Sequence, residues 1–375
     1  MPTLKIIHTA DWQLGKPFGR FPQEVRGALA EARLDAIDRL GTAATSYGAA
    51  HIVVAGDVFD NVEPGDRIVT QALSRMERAA VTWWLMPGNH DHARAGGLWS
   101  RLRGRAPASV RIVDTPEPVE MDEGAWLLPA PLEHRKTVSD PTAAMVDMAT
   151  PPGALRIGLA HGSITEFGAT GDSFNLIPPD RAKSAGLDYL ALGDWHGFLT
   201  VGDRSAYSGT PEIDRFGRDE PGGSIGVNLR SNETPQLERI ETGRYRWLSR
   251  RWNVESLEDF DRELAALRVE ARLSDVLLSL QIAGVASLAD RVAVMSAVEG
   301  RLAHELRHLD LDMEGLIARP TAEDVARIDV QGALAGATAS LQTRAAGSGP
   351  DAQLAAAALE RLYVEAMRFD AEGAR

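Results

Sequence analysis

Short apolar runs alternate with helical spacings along the first half of the chain. Leu4, Ile6 and Ile7 read as a strand ending at His8-Thr9-Ala10-Asp11, followed by a loop with Gly15, Pro17 and Gly19. Val25, Leu29, Leu34, Ile37 and Leu40 recur at the spacing of one helix face over 24–46. His51 to Ala55 is a short buried strand that runs into Gly56-Asp57, a helix follows near 66–80, and a strand over 81–86 ends at Pro87-Gly88-Asn89-His90. Further strands are predicted at 110–113, 125–128, 155–160 and 189–192, the last two running into His161-Gly162 and Gly193-Asp194-Trp195-His196. Strands alternating with helices, with polar residues just past the strand ends, predict a layered α/β core whose sites form beyond the carboxyl ends of the strands.

The pattern changes near 240. Residues 245–254 alternate as a strand, 256–270 read as a helix capped by Ser256, 276–282 as a strand, 287–305 as a helix and 306–317 as one further strand. That is a small β-α-β-α-β unit closed by Pro320. Ala- and Leu-rich helices follow over 331–344 and 351–369, broken by Gly-Ser-Gly-Pro at 347–350. Leu341, Leu354, Leu359, Leu362, Tyr363 and Met367 form an apolar stripe that either packs back on the core or docks a partner. The expected boundaries are 1–240, 244–320 and 328–375.

Composition narrows the classes. The chain has 375 residues, 44% apolar and 25% charged, which excludes a wholly disordered or fibrous chain and suits two to three domains. No run approaches the length of a membrane span, and the first residues lack a signal core, so a cytoplasmic protein with no membrane association is expected. The absence of cysteine removes thiolate metal sites, disulfides and cysteine nucleophiles. A net charge of −13 argues against diffuse nucleic-acid binding, although a local basic groove is enough to grip a phosphate backbone.

Five polar clusters stand at five strand ends: Asp11-Trp12-Gln13, Gly56-Asp57 with Asp60, Gly88-Asn89-His90-Asp91-His92, His161-Gly162, and Gly193-Asp194-Trp195-His196. One Gly-Asp after a strand is usually a turn. Five in order, all rich in metal-type ligands and poor in lysine, call for cations to neutralise them. A pair of divalent ions bridged by one carboxylate activates water and clamps a phosphoryl group.

The ordered set Asp, GD, GNHD, HG and GDxH resembles that of the calcineurin-like metallophosphoesterases. More narrowly, HTADWQLG at 8–15, GDVFD at 56–60, PGNHD at 87–91 and YSGTPE at 207–212 resemble the SbcD nuclease family. The resemblance covers roughly residues 1–240. It implies a four-layer α/β/β/α metallophosphoesterase core with a small cap domain and a helical tail. It implies that Asp11 and His196 bind a first metal, that Asp57 bridges, and that Asn89 and His161 bind a second. His90 would protonate the leaving oxygen or stabilise the transition state, Asp91 would orient His90 by a hydrogen bond, and Asp60 matches the second acid of GDxxD. YSGTPE would lie near the scissile phosphate or the cap junction.

Two positions depart from the family. Gln13 stands where a histidine ligand is expected, and Asp194 where the first histidine of GHxH is expected. Each replaces an imidazole nitrogen with oxygen; Gln13 can still offer a weak neutral carbonyl. Oxygen-rich sites favour hard ions, so two Mn²⁺ are expected, with Mg²⁺ as the alternative and Zn²⁺ disfavoured.

Other residues carry two readings each. Arg94, Arg101, Arg103, Arg105 and Arg111 follow the GNHD loop with no acid among them, as a phosphate-binding groove or as a solvated face. Trp12 and Trp195 flank ligand positions and can stack on bases or pack loops. His92 can touch substrate, Arg215 and Arg218 can touch phosphate, and His8 and His51 read as structural. The leading expectation is a metal-dependent DNA nuclease, exo- or endonucleolytic, working with an SbcC-like coiled-coil ATPase in DNA end processing, and the family implies a homodimer. Competing readings are a phosphoesterase acting on small molecules or phosphoproteins, and a catalytically weak scaffold for the ATPase.

Overall fold

The computed structural model describes residues 2–165, 174–319, 321, 323–324, 328 and 335–373. It divides into two compact units, Met1–Asp214 with Glu220–Tyr245, and Arg215–Asp219 with Arg246–Arg375. No described helix is long and apolar enough to cross a membrane.

The first unit holds two six-stranded sheets. One runs, in spatial order, Gln236–Glu241, Gly223–Arg230, Thr3–Thr9, His51–Val54, Thr82–Leu85 and Val110–Ile112. The other runs Leu199–Val201, Ser205–Tyr207, Tyr189–Gly193, Leu155–His161, Ala125–Ala130 and Val119–Asp122. Ile6, Val53 and Trp84 of the first sheet pack against the same core as Leu127, Ile157 and Tyr189 of the second. Helices Gln23–Tyr47 and Asp66–Arg78 cover the outer face of the first sheet through Leu34, Ile37, Leu40, Val69 and Met76. Met145 and Ala182, from short helices, cover the outer face of the second. This is the expected α/β/β/α layering. It explains the short strand His51–Val54, where every position is buried because both faces of the sheet are covered.

The strands at 223–230 and 236–241 do not stand out in the sequence. The first carries Gly223 and Gly226, and a side chain at Gly226 would meet the Tyr47 ring at 2.7 Å. Glycine weakens a strand pattern where another group approaches closely. The second is a half-exposed edge strand with no clean alternation.

His8 ties the sheets together beside their carboxyl ends. Its Nε2–H donates to the Leu192 carbonyl at 3.2 Å, and its Nδ1 accepts from the Tyr189 hydroxyl at 2.8 Å. Burial pushes its pKa down to about 3, against a partial rise from the Leu192 bond, so the ring is neutral in the fold. The unfolded chain takes up a proton as pH falls through the ordinary histidine value near 6.5, and the folded chain does not. Stability is therefore complete above that value and is lost below it, by about 2 kcal/mol at pH 5 from this residue alone. Urea titrations at pH 7.5 and pH 5 should show this loss, and His8→Gln should flatten the pH dependence. An equal slope in the variant would refute the assignment.

The second unit is built on a parallel sheet in the order Arg246–Asn253, Val276–Ala286 and His308–Asp312, with Leu316–Ala318 also paired to Val276–Ala286. The single strand expected over 306–317 is thus two. Between them the Glu314 N–H donates to Asp312 Oδ1 and the Leu316 N–H to the Met313 carbonyl, both at 3.0 Å, which closes a turn ahead of Leu316. Ser256 caps helix Leu257–Glu270 in a reciprocal capping box with Asp259. The tail forms helices Ala335–Ala345 and Pro350–Gly373. Leu359 and Tyr363 bury against Leu288 and Ala318, with Leu341 and Leu362 at the margin, so most of the apolar stripe packs back. Leu354 remains 66% exposed, and positions 331–334 and the Met367 side chain lie outside the described residues.

Candidate metal centre

Three parallel strands of the first sheet, Thr3–Thr9, His51–Val54 and Thr82–Leu85, deliver Asp11, Asp57 and Asn89 just past their ends. Two parallel strands of the second sheet, Leu155–His161 and Tyr189–Gly193, deliver His161 and Asp194. The loops continue the parallel pairing: Asp11 N–H donates to the Gly56 carbonyl at 3.1 Å and Gln13 N–H to the Asp57 carbonyl at 2.8 Å. The backbone bends sharply there. Asp11, Gln13, Asp57 and Asp194 have φ of 56°, 43°, 54° and 100°, a region that costs energy for residues with side chains. Gly56, at φ 84°, is required, because a Cβ would sit 2.3 Å from His161 Nδ1.

One ligand atom each from Asp11, Asp57 and His161 lies within 4.8 Å of the others, and all three residues are buried. His161 donates from Nδ1 to the Ala55 carbonyl at 2.8 Å. Its Nε2 is buried without a hydrogen-bond partner, 3.5 Å from Asp57 Oδ1 and 3.8 Å from Asp194 Oδ1. Asn89 donates from Nδ2 to Asp194 Oδ1 at 3.0 Å, while its Oδ1 is likewise buried and unpartnered. Ligands at about 2.1 Å from one ion lie about 3.0–3.5 Å from each other. Two buried ligand-type atoms without a hydrogen-bond partner, among three carboxylates, therefore fit a divalent cation, and the Nδ1 bond holds the His161 tautomer that a metal needs. Burial alone would lower the pKa of His161, but Asp57, Asp11 and Asp194 push it up to about 9. Burial raises Asp11 to about 6 against the pull of His196 and His161.

The Asp11–His196 side is different. His196 Nε2 stands 3.8 Å from Asp11 Oδ1, and Nδ1 faces Asp214 at 3.3–3.4 Å. Lys16 Nζ donates to Gln13 Oε1 at 2.9 Å and to Asp214 Oδ2 at 2.5 Å. Arg33, 2% exposed, lies 3.4 Å from the same Asp214 oxygen. Burial would raise the pKa of Asp214, but His196, Arg33 and Lys16 hold it far below the ordinary carboxylate range. Sequence reasoning singles out none of Lys16, Arg33 and Asp214. The converging acids are not poor in cations as their sequence neighbours suggest, and the Gln13 carbonyl expected to face a metal is taken by Lys16.

The other expected residues divide. His90 donates its backbone N–H to Asp57 Oδ1 at 2.9 Å, and its Nδ1 lies 2.9 Å from the Asp60 carbonyl oxygen. Asp91 does not orient His90. It is fully buried and accepts from the N–H groups of Gly88 and Phe59 at 2.7 and 3.0 Å, so it fixes the loop; burial and Asp57 raise its pKa to about 7. His92 is 8% exposed, with Nδ1 on the Asn89 carbonyl and Nε2 accepting from Arg94, so it braces the Asn89 loop and has no face for substrate. Trp12, 1% exposed, bonds Thr9 Oγ1 and packs edge-on to Trp83, which removes it as a stacking platform. Trp195 is 46% exposed. Arg94, Arg101, Arg103 and Arg215 are exposed, but Arg103 pairs with Asp114, and Arg105 with Asp66 at 2.9 Å. Arg215 falls in the second unit. YSGTPE supports the loops from behind: the Tyr207 hydroxyl donates to the Gly162 carbonyl at 2.8 Å and Thr210 Oγ1 to the Asp11 carbonyl at 2.9 Å.

Residues 4–222 match the family model of calcineurin-like phosphoesterases. The chain is 36% identical over 93 residues to a subunit of the nuclease SbcCD of Bacillus subtilis (strain 168), covering 24% of this chain and 22% of that protein. It is 28% identical over 239 residues to the DNA double-strand break repair protein Mre11 of Halobacterium salinarum, covering 62% of this chain and 58% of that one. The chain thus spans less than two thirds of the length of either relative. The strand-end acids, the orphaned His161 and Asn89 atoms and a match over more than half of the chain agree, and this protein belongs to the calcineurin-like phosphoesterase family.

Proposed function

We propose that this chain is a metal-dependent phosphodiesterase that cuts DNA, partnered by an SbcC-like coiled-coil ATPase and acting as a homodimer at DNA ends. One observation carries the choice of DNA: the two relatives above are, by their names, a nuclease subunit and a double-strand break repair protein. The exposed indole of Trp195, between Asp194 and His196, suits a nucleobase.

A bound divalent ion supplies polarisation of a phosphoryl oxygen and acidification of water. Asp57, Asn89, His161 and Asp194 would hold it, with Asp11 alongside, and this oxygen-rich set favours Mn²⁺ or Mg²⁺ over Zn²⁺. The remaining chemistry belongs to the chain. Asp60 fixes Nδ1 of His90, whose Nε2 stands 4.0 Å from Asp57 Oδ2 on a side chain 32% exposed. A proton carried there passes to the leaving oxygen. Arg94 and Arg101, both exposed, provide charge for the phosphate backbone.

The Trp195→Ala variant tests the substrate class. Affinity for single-stranded DNA, measured by fluorescence anisotropy, should fall about tenfold. Turnover of bis(p-nitrophenyl) phosphate, which has no base to stack, should fall by less. Unchanged DNA affinity, or hydrolysis confined to phosphomonoesters, would count against the proposal.

A further inference from the structure

The two halves of the centre differ in which buried ligand-type atoms are left without a partner. Around His161 two buried ligand-type atoms, His161 Nε2 and Asn89 Oδ1, have no hydrogen-bond partner, while Asp194 accepts from Asn89 Nδ2 and Ser163 Oγ. Around His196 the same kind of position is closed. Lys16 carries only donors, so the Gln13 atom that receives its 2.9 Å bond must be the oxygen. The Gln13 NH₂ then points the other way, 3.4 Å from Asp57 Oδ2 and 3.4 Å from His196 Nε2. A ligand position next to Asp57 and His196 is thus filled by an N–H donor, which repels a cation and satisfies the lone pair that would bind one.

The charge follows the same division. Lys16 and Arg33 both lie against Asp214, and Asp214 backs His196. Turning the Gln13 carbonyl toward a metal would set its NH₂ against the Lys16 ammonium. The Lys16 side chain is 28% exposed, and its ammonium is held between Gln13 Oε1 and Asp214 Oδ2.

We propose that this centre holds a single divalent ion, on the Asp57–Asn89–His161–Asp194 side, and that the Lys16–Gln13 pair occupies the Asp11–His196 side and supplies positive charge there in place of a second ion. This rests on the reading that the centre binds metal at all.

The test is ion stoichiometry on the full chain. Equilibrium dialysis against Mn²⁺ with elemental analysis should give about one ion per chain, in contrast to the two of a bridged site. Electron paramagnetic resonance of the bound ion should give the hyperfine pattern of isolated Mn²⁺. The variant carrying Gln13→His and Lys16→Met should take up about two ions per chain and develop the exchange-coupled pattern of a bridged pair. Two coupled ions in the wild-type protein would overturn the proposal while leaving metal-dependent hydrolysis standing. A folded double variant still holding one ion would also overturn it. No bound ion in the wild-type protein would overturn both.

Discussion

Asp57→Asn should reduce phosphodiester hydrolysis by at least roughly 10³-fold, about 4 kcal/mol of lost transition-state stabilisation. The loss is expected to be chemical, with the fold intact. Asn tolerates the left-handed backbone that Asp57 adopts at φ 54° and keeps the shape of the carboxylate. The amide oxygen can still accept the His90 N–H, which now reaches Asp57 Oδ1 at 2.9 Å. What disappears is the negative charge 3.5 Å from His161 Nε2, and with it the affinity for a cation. Steady-state kinetics with bis(p-nitrophenyl) phosphate, alongside thermal unfolding and metal content, separates these effects. Activity within tenfold of wild type would remove Asp57 from the centre.

Gly193→Ala should damage the first unit as a whole. A Cβ at this position would lie 1.9 Å from the Ala55 carbonyl oxygen, 2.8 Å from His161 Nδ1 and 3.0 Å from the Ala10 side chain. The first of these is backbone of the facing sheet and cannot rotate away. Such overpacking costs about 3 kcal/mol or more, which for a unit of this size lowers Tm by roughly 6–12 °C. The clash also falls on the bond between His161 and Ala55 that orients the imidazole. Ion affinity should therefore drop together with Tm, as differential scanning fluorimetry with and without Mn²⁺ would register. A variant with wild-type Tm would mean that the sheets have room here for a methyl group.

The strand ends were legible in the sequence because each consists of a short apolar run followed at once by Gly, Asp, Asn or His. A polar ligand placed there costs the core nothing, and the parallel pairing of the strands brings Asp11, Asp57, Asn89, His161 and Asp194 to one edge. The second layer of the site was not legible. Lys16 reaches Asp214, a contact 198 residues apart in sequence, and no local pattern marks either residue. Trp12 and Trp195 look alike in sequence, each beside a ligand position. Only the packing of Trp12 on Trp83 distinguishes the core residue from the exposed one. Asp91 and His92 misled for a related reason. In a tight loop the nearest neighbour in sequence is rarely the hydrogen-bond partner, and here the partners are backbone groups of Gly88, Phe59 and Asn89.

Incubation of the purified protein with end-labelled linear duplex and single-stranded DNA, in Mn²⁺, Mg²⁺ or chelator, tests the central claim most directly. The account predicts cleavage that requires the divalent ion, stops on chelation and is absent from Asp57→Asn. Hydrolysis of phosphomonoesters or phosphopeptides in the same ions, with every DNA substrate left intact with or without an SbcC-like ATPase and ATP, would contradict it.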